Sequence, residues 1–534
     1  MKSLKINLLF LATLATLSSQ SSFAALDLYT HANGSTVVNI NKADANGLSH
    51  NMYQNFNVPS QGMIINNSTT DLIRERGNIA HNSNLDGPAS LILNEVISKN
   101  PSYLNGYIEV AGQKADVIIA NPNGISCSGC GFINTGRATL TTGTPTFSDG
   151  ALTGFKVAQG SIAVSGDGLK GADYTDLLAQ QINIRGQVET SQLNAIAGSY
   201  DYDIASGLVT AAENSVRYAN SIDVSALGGV TAGIIQLKTT EAGAGVNNNG
   251  ILDASGLFIA SNGALINNGT IKSGLISASA SHEMVNKGYL SSGQAVLQIK
   301  GSFTNDGTIE TLDRATIATV GKFYNSENAK ISAAGDIKIA SLADNIENTG
   351  KIIAGNNLIM ETGYGPVDGS IKALYKTSVL NSGSLKAGTL SVDAVNEINL
   401  LSGGDVTTQG SAYLSAPTFS NAASLTGQHV FVVANEVRNE GSLQATGMLS
   451  VFGKNGIYNT GSMEAGTLAL ITDEKISNSS CVWWVFCTKG TMKADKITIT
   501  APKIASLREL DGNYTTQTLE LNKPVAPSEP GTSL

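Results

Sequence analysis

The chain is poor in what most chemistry and most compact cores rely on. Of its 534 residues, 14% are charged and 6% aromatic, low shares for a globular domain. Helical periodicity is missing, so no bundle or α/β layer competes for the fold. The five histidines, His31, His50, His81, His282 and His429, are scattered without metal-ligand spacing. G-x-S-x-G, P-loop and calcium-nonapeptide motifs are missing as well. The chain therefore reads as a non-enzyme with no cofactor and no metal. Acidic residues outnumber basic ones by 42 to 33, a formal charge of −9. That balance argues against nucleic acid or anionic lipid as an electrostatic partner. After the first residues no apolar run is long enough to span a bilayer.

The few chemical candidates have plain structural readings. The four cysteines form two close pairs, Cys127/Cys130 and Cys481/Cys487. An even number, local pairing and an exported chain favour two disulfides. Zinc needs four ligands in one place, and no βαβ pattern surrounds Cys127-Ser128-Gly129-Cys130 to suggest thiol redox chemistry. Gly166-Asp167-Gly168-Leu169-Lys170-Gly171 spells G-x-G-x-x-G, but glycine-punctuated strands surround it and it reads as a loop. Asp201 and Asp203 sit in surface-like sequence. Parallel β-helices do host polysaccharide lyases, so an enzyme is the open alternative, and fold alone does not decide.

Residues 1–24 have the make-up of a secretory signal. Lys2 and Lys5 precede a short apolar run from Leu8 to Leu17. Ser22-Phe23-Ala24 then offers small residues for cleavage between Ala24 and Ala25. Short strands follow. Thr36 to Ile40 is one; Asn51 to Val58 alternates apolar and polar residues; Gly62 to Ser68 and Leu91 to Val96 continue the series. Ala115 to Ala120 is β-branched and leads into Asn121-Pro122-Asn123-Gly124-Ile125. Pro122 suits the second position of a tight turn, and Asn123 and Gly124 tolerate the left-handed conformations that close one. Phe132 to Leu140 and Ala151 to Val164 read as strands, and Tyr174 to Ile184 as a strand or short helix.

From about residue 245 the chain is periodic. An apolar residue, any residue, then Asn recurs at Asn248, Asn267, Asn286, Asn305, Asn325, Asn348, Asn381, Asn421, Asn439, Asn459 and Asn478, usually with Gly two residues on. Steps of about 20 residues dominate; the longer step after Asn381 hides a degenerate copy near Asn399, and the one before it an insertion around Tyr364 to Gly369. Such a period means one strand–turn–strand unit per repeat, stacked on its neighbours. The expected fold is all-β: a right-handed parallel β-helix over residues 245–505, with extra antiparallel strands in residues 25–260. Each Asn is expected to bond backbone groups of adjacent coils, and each following Gly to supply positive φ at a corner. About two dozen coils at ~4.8 Å would give a rod on the order of 100 Å. Cys481 to Cys487, holding both tryptophans, reads as a cap on the open end or as an apolar contact patch. Residues 506–534 form a tail expected to be disordered at its end.

The Asn121 to Ile125 turn, followed by Cys-x-x-Cys and Gly131-Phe132-Ile133-Asn134-Thr135, resembles the secretion domain of two-partner secretion exoproteins. That family comprises filamentous haemagglutinins, haemolysins and contact-dependent inhibition proteins. Asn82-Ser83-Asn84-Leu85 corresponds to a second family motif, Asn-Pro-Asn-Leu, with Ser83 in place of Pro. The 20-residue repeats resemble the family's haemagglutinin repeats. The resemblance implies export from a Gram-negative cell through the periplasm and a dedicated outer-membrane transporter with periplasmic recognition domains. It assigns the secretion motif to Asn121, Pro122, Asn123, Gly124 and Ile125, and to Asn82, Asn84 and Leu85. The end use it implies is adhesion, as a surface or released haemagglutinin, through a receptor the sequence does not name. A haemolysin-type cytolysin, or the shortened stem of a contact-dependent toxin, is the alternative.

Overall fold

A computed structural model describes residues 27–75, 77–212, 220–368, 370–482, 486–502 and 513–522. Among them there is no helix. One parallel β-solenoid of about 19 turns carries nearly every strand. A coil has three sides. Ile346–Asn348, Lys351–Ala354 and Asn357–Thr362 make one coil, and each lies in register on the matching side of the next: Ser378–Asn381, Ser384–Ala387 and Thr389–Ala394. Alternation along each side sends every second residue inward. Identical positions of successive coils therefore stack in columns. One runs Leu252, Ile271, Leu290, Ile309, Ile331, Ile352 and on through Leu385 to Met492. All are buried. At roughly 1.5–3 kcal/mol per fully buried side chain, these columns are the main source of stability.

The repeat asparagines form a ladder, but through their side chains. Each Nδ2 donates to the Oδ1 of the next Asn at 2.7–2.8 Å from Asn248 through Asn267, Asn286, Asn305, Asn325 and Asn348 to Asn381. A second ladder joins Asn421, Asn439, Asn459 and Asn478 at 2.6–2.7 Å. The coil between them departs from the expected phase. Leu400, not Asn399, takes the ladder position, facing Asn381 on one side and Asn421 on the other. The glycines after each Asn also act differently from the expectation. Gly269, Gly288, Gly307 and Gly461 have no positive φ. A Cβ there would come within 2.0–2.2 Å of a carbonyl oxygen of the preceding coil. They are glycine because stacked corners approach too closely for a side chain.

Four antiparallel strands ride on the outside: β1 (Thr144–Ser148), β2 (Ala151–Val157), β3 (Tyr200–Asp203) and β4 (Val209–Ala211), in that order. Phe155, Val157, Tyr200 and Tyr202 cover outward apolar residues Leu93, Ile118, Leu178 and Ile196 of the solenoid. Tyr200 donates to Ile196 O at 2.8 Å. The insertion after Thr362 is an antiparallel hairpin, Tyr364–Val367 with Ser370–Ala373.

Several expectations need correction. Tyr174–Ala179 and Gln181–Ile184 are strands, with no short helix. All but the last residue of the G-x-G-x-x-G segment lies in a bulged strand, Ser161–Lys170, stacked on Ile125–Ile133; its glycines Gly166, Gly168 and Gly171 do take positive φ. The coils run on without a break across residues 245–260, because Gly229–Thr239 pairs in register with Ile251–Ser261. They also continue past residue 505: Asn513–Asn522 stacks on Thr491–Thr500 inside the segment expected to be a tail. The hairpin of Ser479–Val482 and Phe486–Lys489 therefore does not close the solenoid end, since coils lie on both sides of it. Residues 1–26, with Ala24 and Ala25, both tryptophans and residues 523–534 lie outside the described residues.

Candidate functional site

The Asn121 turn sits at a corner between the strands Ala115–Ala120 and Ile125–Ile133. Gly124 N donates to Asn121 O at 3.1 Å, closing a four-residue turn with Pro122 and Asn123 in the middle. Gly124 is the residue with positive φ, +109°; Asn123 keeps negative φ. The turn is thus of type I rather than one needing a left-handed Asn. Asn123 is instead a clasp. Its backbone N–H donates to Asn121 Oδ1 at 3.0 Å, and its Nδ2 reaches Ser98 O at 2.8 Å in the preceding coil. Asn121, fully buried, donates to Asn100 O and Ser102 Oγ, both at 2.9 Å. On the other side Asn121 N donates to Thr141 O, and Gln159 Nε2 to Pro122 O at 3.2 Å. Ile125 is buried between Ser102 and Ile162. The five motif residues thus pin one coil to both neighbours.

The Asn82 turn repeats the design. Leu85 N donates to Asn82 O at 3.1 Å, and Asn84 N to Asn82 Oδ1 at 3.0 Å. Buried Asn82 donates to Ile40 O at 2.9 Å and Asn66 O at 3.0 Å. Leu85 packs against the core. Ser83 in place of Pro leaves this scheme intact. The two turns lie in different coils and are not one pocket; they are two copies of one clip.

Sequence reasoning found the clip residues but missed their partners Ser98, Asn100 and Ser102. Those lie one coil length upstream, and the coil period is not visible in the sequence before residue 245.

Cys127 and Cys130 are disulfide-bonded, with Cα atoms 5.2 Å apart and both side chains buried next to the first clip. Cys487 is disulfide-bonded, and the hairpin register sets it opposite Cys481, whose side chain lies outside those described. Asp203 accepts from the Ser206 hydroxyl and N–H, which hold its carboxyl below the usual range; a general acid needs the opposite shift. His50 Nε2 donates to Glu95 Oε2, 2.7 Å away, and the ring stacks on Phe147. Among the described residues no three His, Cys, Asp or Glu side chains converge on a metal-sized site.

A stacked parallel coil whose early corners are clipped by buried asparagines, with an antiparallel sheet on its flank, defines a parallel β-solenoid with a specialised first half. That half is where the match to known proteins falls. Residues 13–273 match the TPS secretion domain. The chain is 44% identical over 254 residues to Toxin CdiA of Yersinia pestis, covering 46% of this chain and 8% of that protein. It is 35% identical over 431 residues to tRNA nuclease CdiA of Yersinia mollaretii, covering 79% and 13%. Among solved structures it is similar to the filamentous hemagglutinin secretion domain, at 28% identity and a TM-score of 0.40, covering 63% of this chain and 97% of that one. The chain spans 8–13% of the length of these two CdiA proteins. It belongs to the two-partner secretion exoproteins, with a TPS secretion domain running on into repeat coils.

Proposed function

We propose that this chain is exported by a dedicated outer-membrane β-barrel transporter, which recognises the TPS region in the periplasm after a cleaved signal has delivered it there. The paired clips carry this reading: two turns of one design, at the two motif positions, inside the segment that matches the TPS secretion domain. Low charge and few bulky rings ease threading of an unfolded chain. Each coil that emerges then finds its template in the coil before it. The motif residues act by setting the first coils in register, so that winding starts in one place.

Once outside, the rod serves as an adhesin, at the cell surface or released, and itself carries no catalysis. A second reading is the stem of a contact-dependent growth inhibition protein. The printed names of the relatives, a toxin and a tRNA nuclease, favour it. Export tests the shared part of both readings. The chain should accumulate in the medium when the transporter is co-expressed and stay in the periplasm when it is deleted. Equal export in both strains would reject the proposal. Binding of culture medium protein to target cells, compared with growth inhibition of neighbouring bacteria, separates the two end uses.

A further inference from the structure

Among the described residues the antiparallel sheet on the solenoid flank ends in an edge strand, β4. Among the described residues β4 pairs with β3 alone. Asp203 N donates to Leu208 O and Ala212 N to Ser199 O, both at 3.0 Å. Antiparallel bonding alternates, so Asp201 and Thr210 exchange their bonds inside the sheet. Val209 and Ala211 therefore turn their N–H and C=O groups away from β3. Below this edge runs a groove of about 680 Å³, which continues under Ala211 into a second of about 280 Å³; Val209, Lys238, Ala260 and Ser279 line both.

The groove floor is made of two outward lanes of the solenoid. One stacks Asn194, Gln236, Phe258 and Ser277, and the other Ile196, Lys238, Ala260 and Ser279. At one end Arg137 is bound to buried Asp176 at 3.1 Å and is neutralised. Lys238 has no ion pair among the described residues, so the middle of the groove is positive in a chain of net charge −9. Exposed Ile204 and Leu208 form an apolar lip at the hairpin tip.

We infer that this edge and groove dock an extended polypeptide strand carrying a carboxylate. The strand joins β4 as a fifth member of the sheet, by strand addition. Unpaired N–H and C=O groups alternating along an edge are matched in kind only by another backbone. The small residues Ala260, Ser277 and Ser279 leave room beneath it, the carboxamides of Asn194 and Gln236 offer both donors and acceptors, and Lys238 takes the carboxylate. The inference is independent of the export reading.

The test uses the full folded chain and a fluorescent synthetic peptide, Thr-Val-Thr-Glu-Thr-Val-Thr, followed by anisotropy. The peptide should bind saturably, and a version with Lys at the centre about tenfold more weakly or not at all. Ala211→Pro removes an outward N–H and no bond to β3, and should abolish binding with an unchanged melting temperature. Lys238→Glu, at an exposed site, should reverse the preference between the two peptides; it keeps the test decisive if Ala211→Pro fails to fold. No saturable binding, or binding indifferent to both variants, overturns the inference. So does binding of N-acetylglucosamine oligomers, or self-association of the chain, in place of peptide binding.

Discussion

At the scale of the residue, Asn82 and Asn121 are buried polar groups whose amide N–H groups are taken up by neighbouring coils and whose Oδ1 atoms accept from their own turns. Asn121→Ala leaves Asn100 O and Asn123 N without their partner in a closed corner, where each orphaned group costs about 1–3 kcal/mol. Urea unfolding should show a loss of about 2–4 kcal/mol for that variant. Asn123→Ala, at a half-buried site, should cost nearer 1 kcal/mol. Ser83 occupies the turn position that Pro122 fills in the other clip, and no bond from its N–H is needed to close the turn. Ser83→Pro is expected to stabilise by about 0.5–1 kcal/mol, through a stiffer unfolded chain, and a raised urea midpoint would show it. Tyr53, with the equally buried Tyr200, contributes to an alkaline limit. Its hydroxyl donates to Asn94 Oδ1 at 3.0 Å, and full burial pushes its phenol well above the usual value of 10.0. A folded pKa raised above the unfolded one means stability that is complete below pH 10 and falls as pH rises beyond it. Tyr53→Phe should flatten the alkaline limb of a stability–pH curve; an unchanged limb would remove Tyr53 from that account.

At the scale of the element, the asparagine ladder is continuous except at Leu400. The two half-ladders end at Asn381 and Asn421, one coil away on either side. Leu400→Asn would offer Oδ1 to Asn381 and Nδ2 to Asn421. It should therefore cost less than about 1 kcal/mol, whereas Ile398→Asn, buried with no such partners, should cost more than about 3 kcal/mol. Thermal melts of both variants compare the two directly. A similar large loss for each would mean that the ladder bonds are not available at that coil. This element also shows what the sequence makes legible. The Asn spacing revealed the coil length and the strand–turn–strand unit, because each coil repeats the same local chemistry. The spacing places the degenerate copy near Asn399, one residue out of phase, since a Leu in the ladder position breaks the only marker of register. The glycines were assigned to backbone freedom, when their cause is the close approach of another coil, 19 or more residues away and invisible locally. The antiparallel sheet was expected, but its packing on Leu178 and Ile196 depends on contacts that no spacing encodes.

At the scale of the whole molecule, one solenoid runs from Thr36–Asn39 to Asn513–Asn522, so the secretion domain and the repeats that follow it share one stack of coils. About 19 turns at ~4.8 Å make a rod of about 90 Å, the length expected in order of magnitude but from fewer coils, because the early coils use more residues per turn. The first half was legible through its motif residues, which name the clips, and illegible in its coil partners, which lie where the repeat is irregular. The central claim is that the clips serve export by fixing the turns of the first coils, not by touching the transporter. The measurement is export of the wild type and Asn123→Ala through the intact transporter, at a low and a high growth temperature. If the clip acts through stability, Asn123→Ala should be exported nearly normally in the cold and fall well behind the wild type in the warm. Equal loss at both temperatures, with a purified variant as stable as the wild type, would contradict the account and make Asn123 a direct contact.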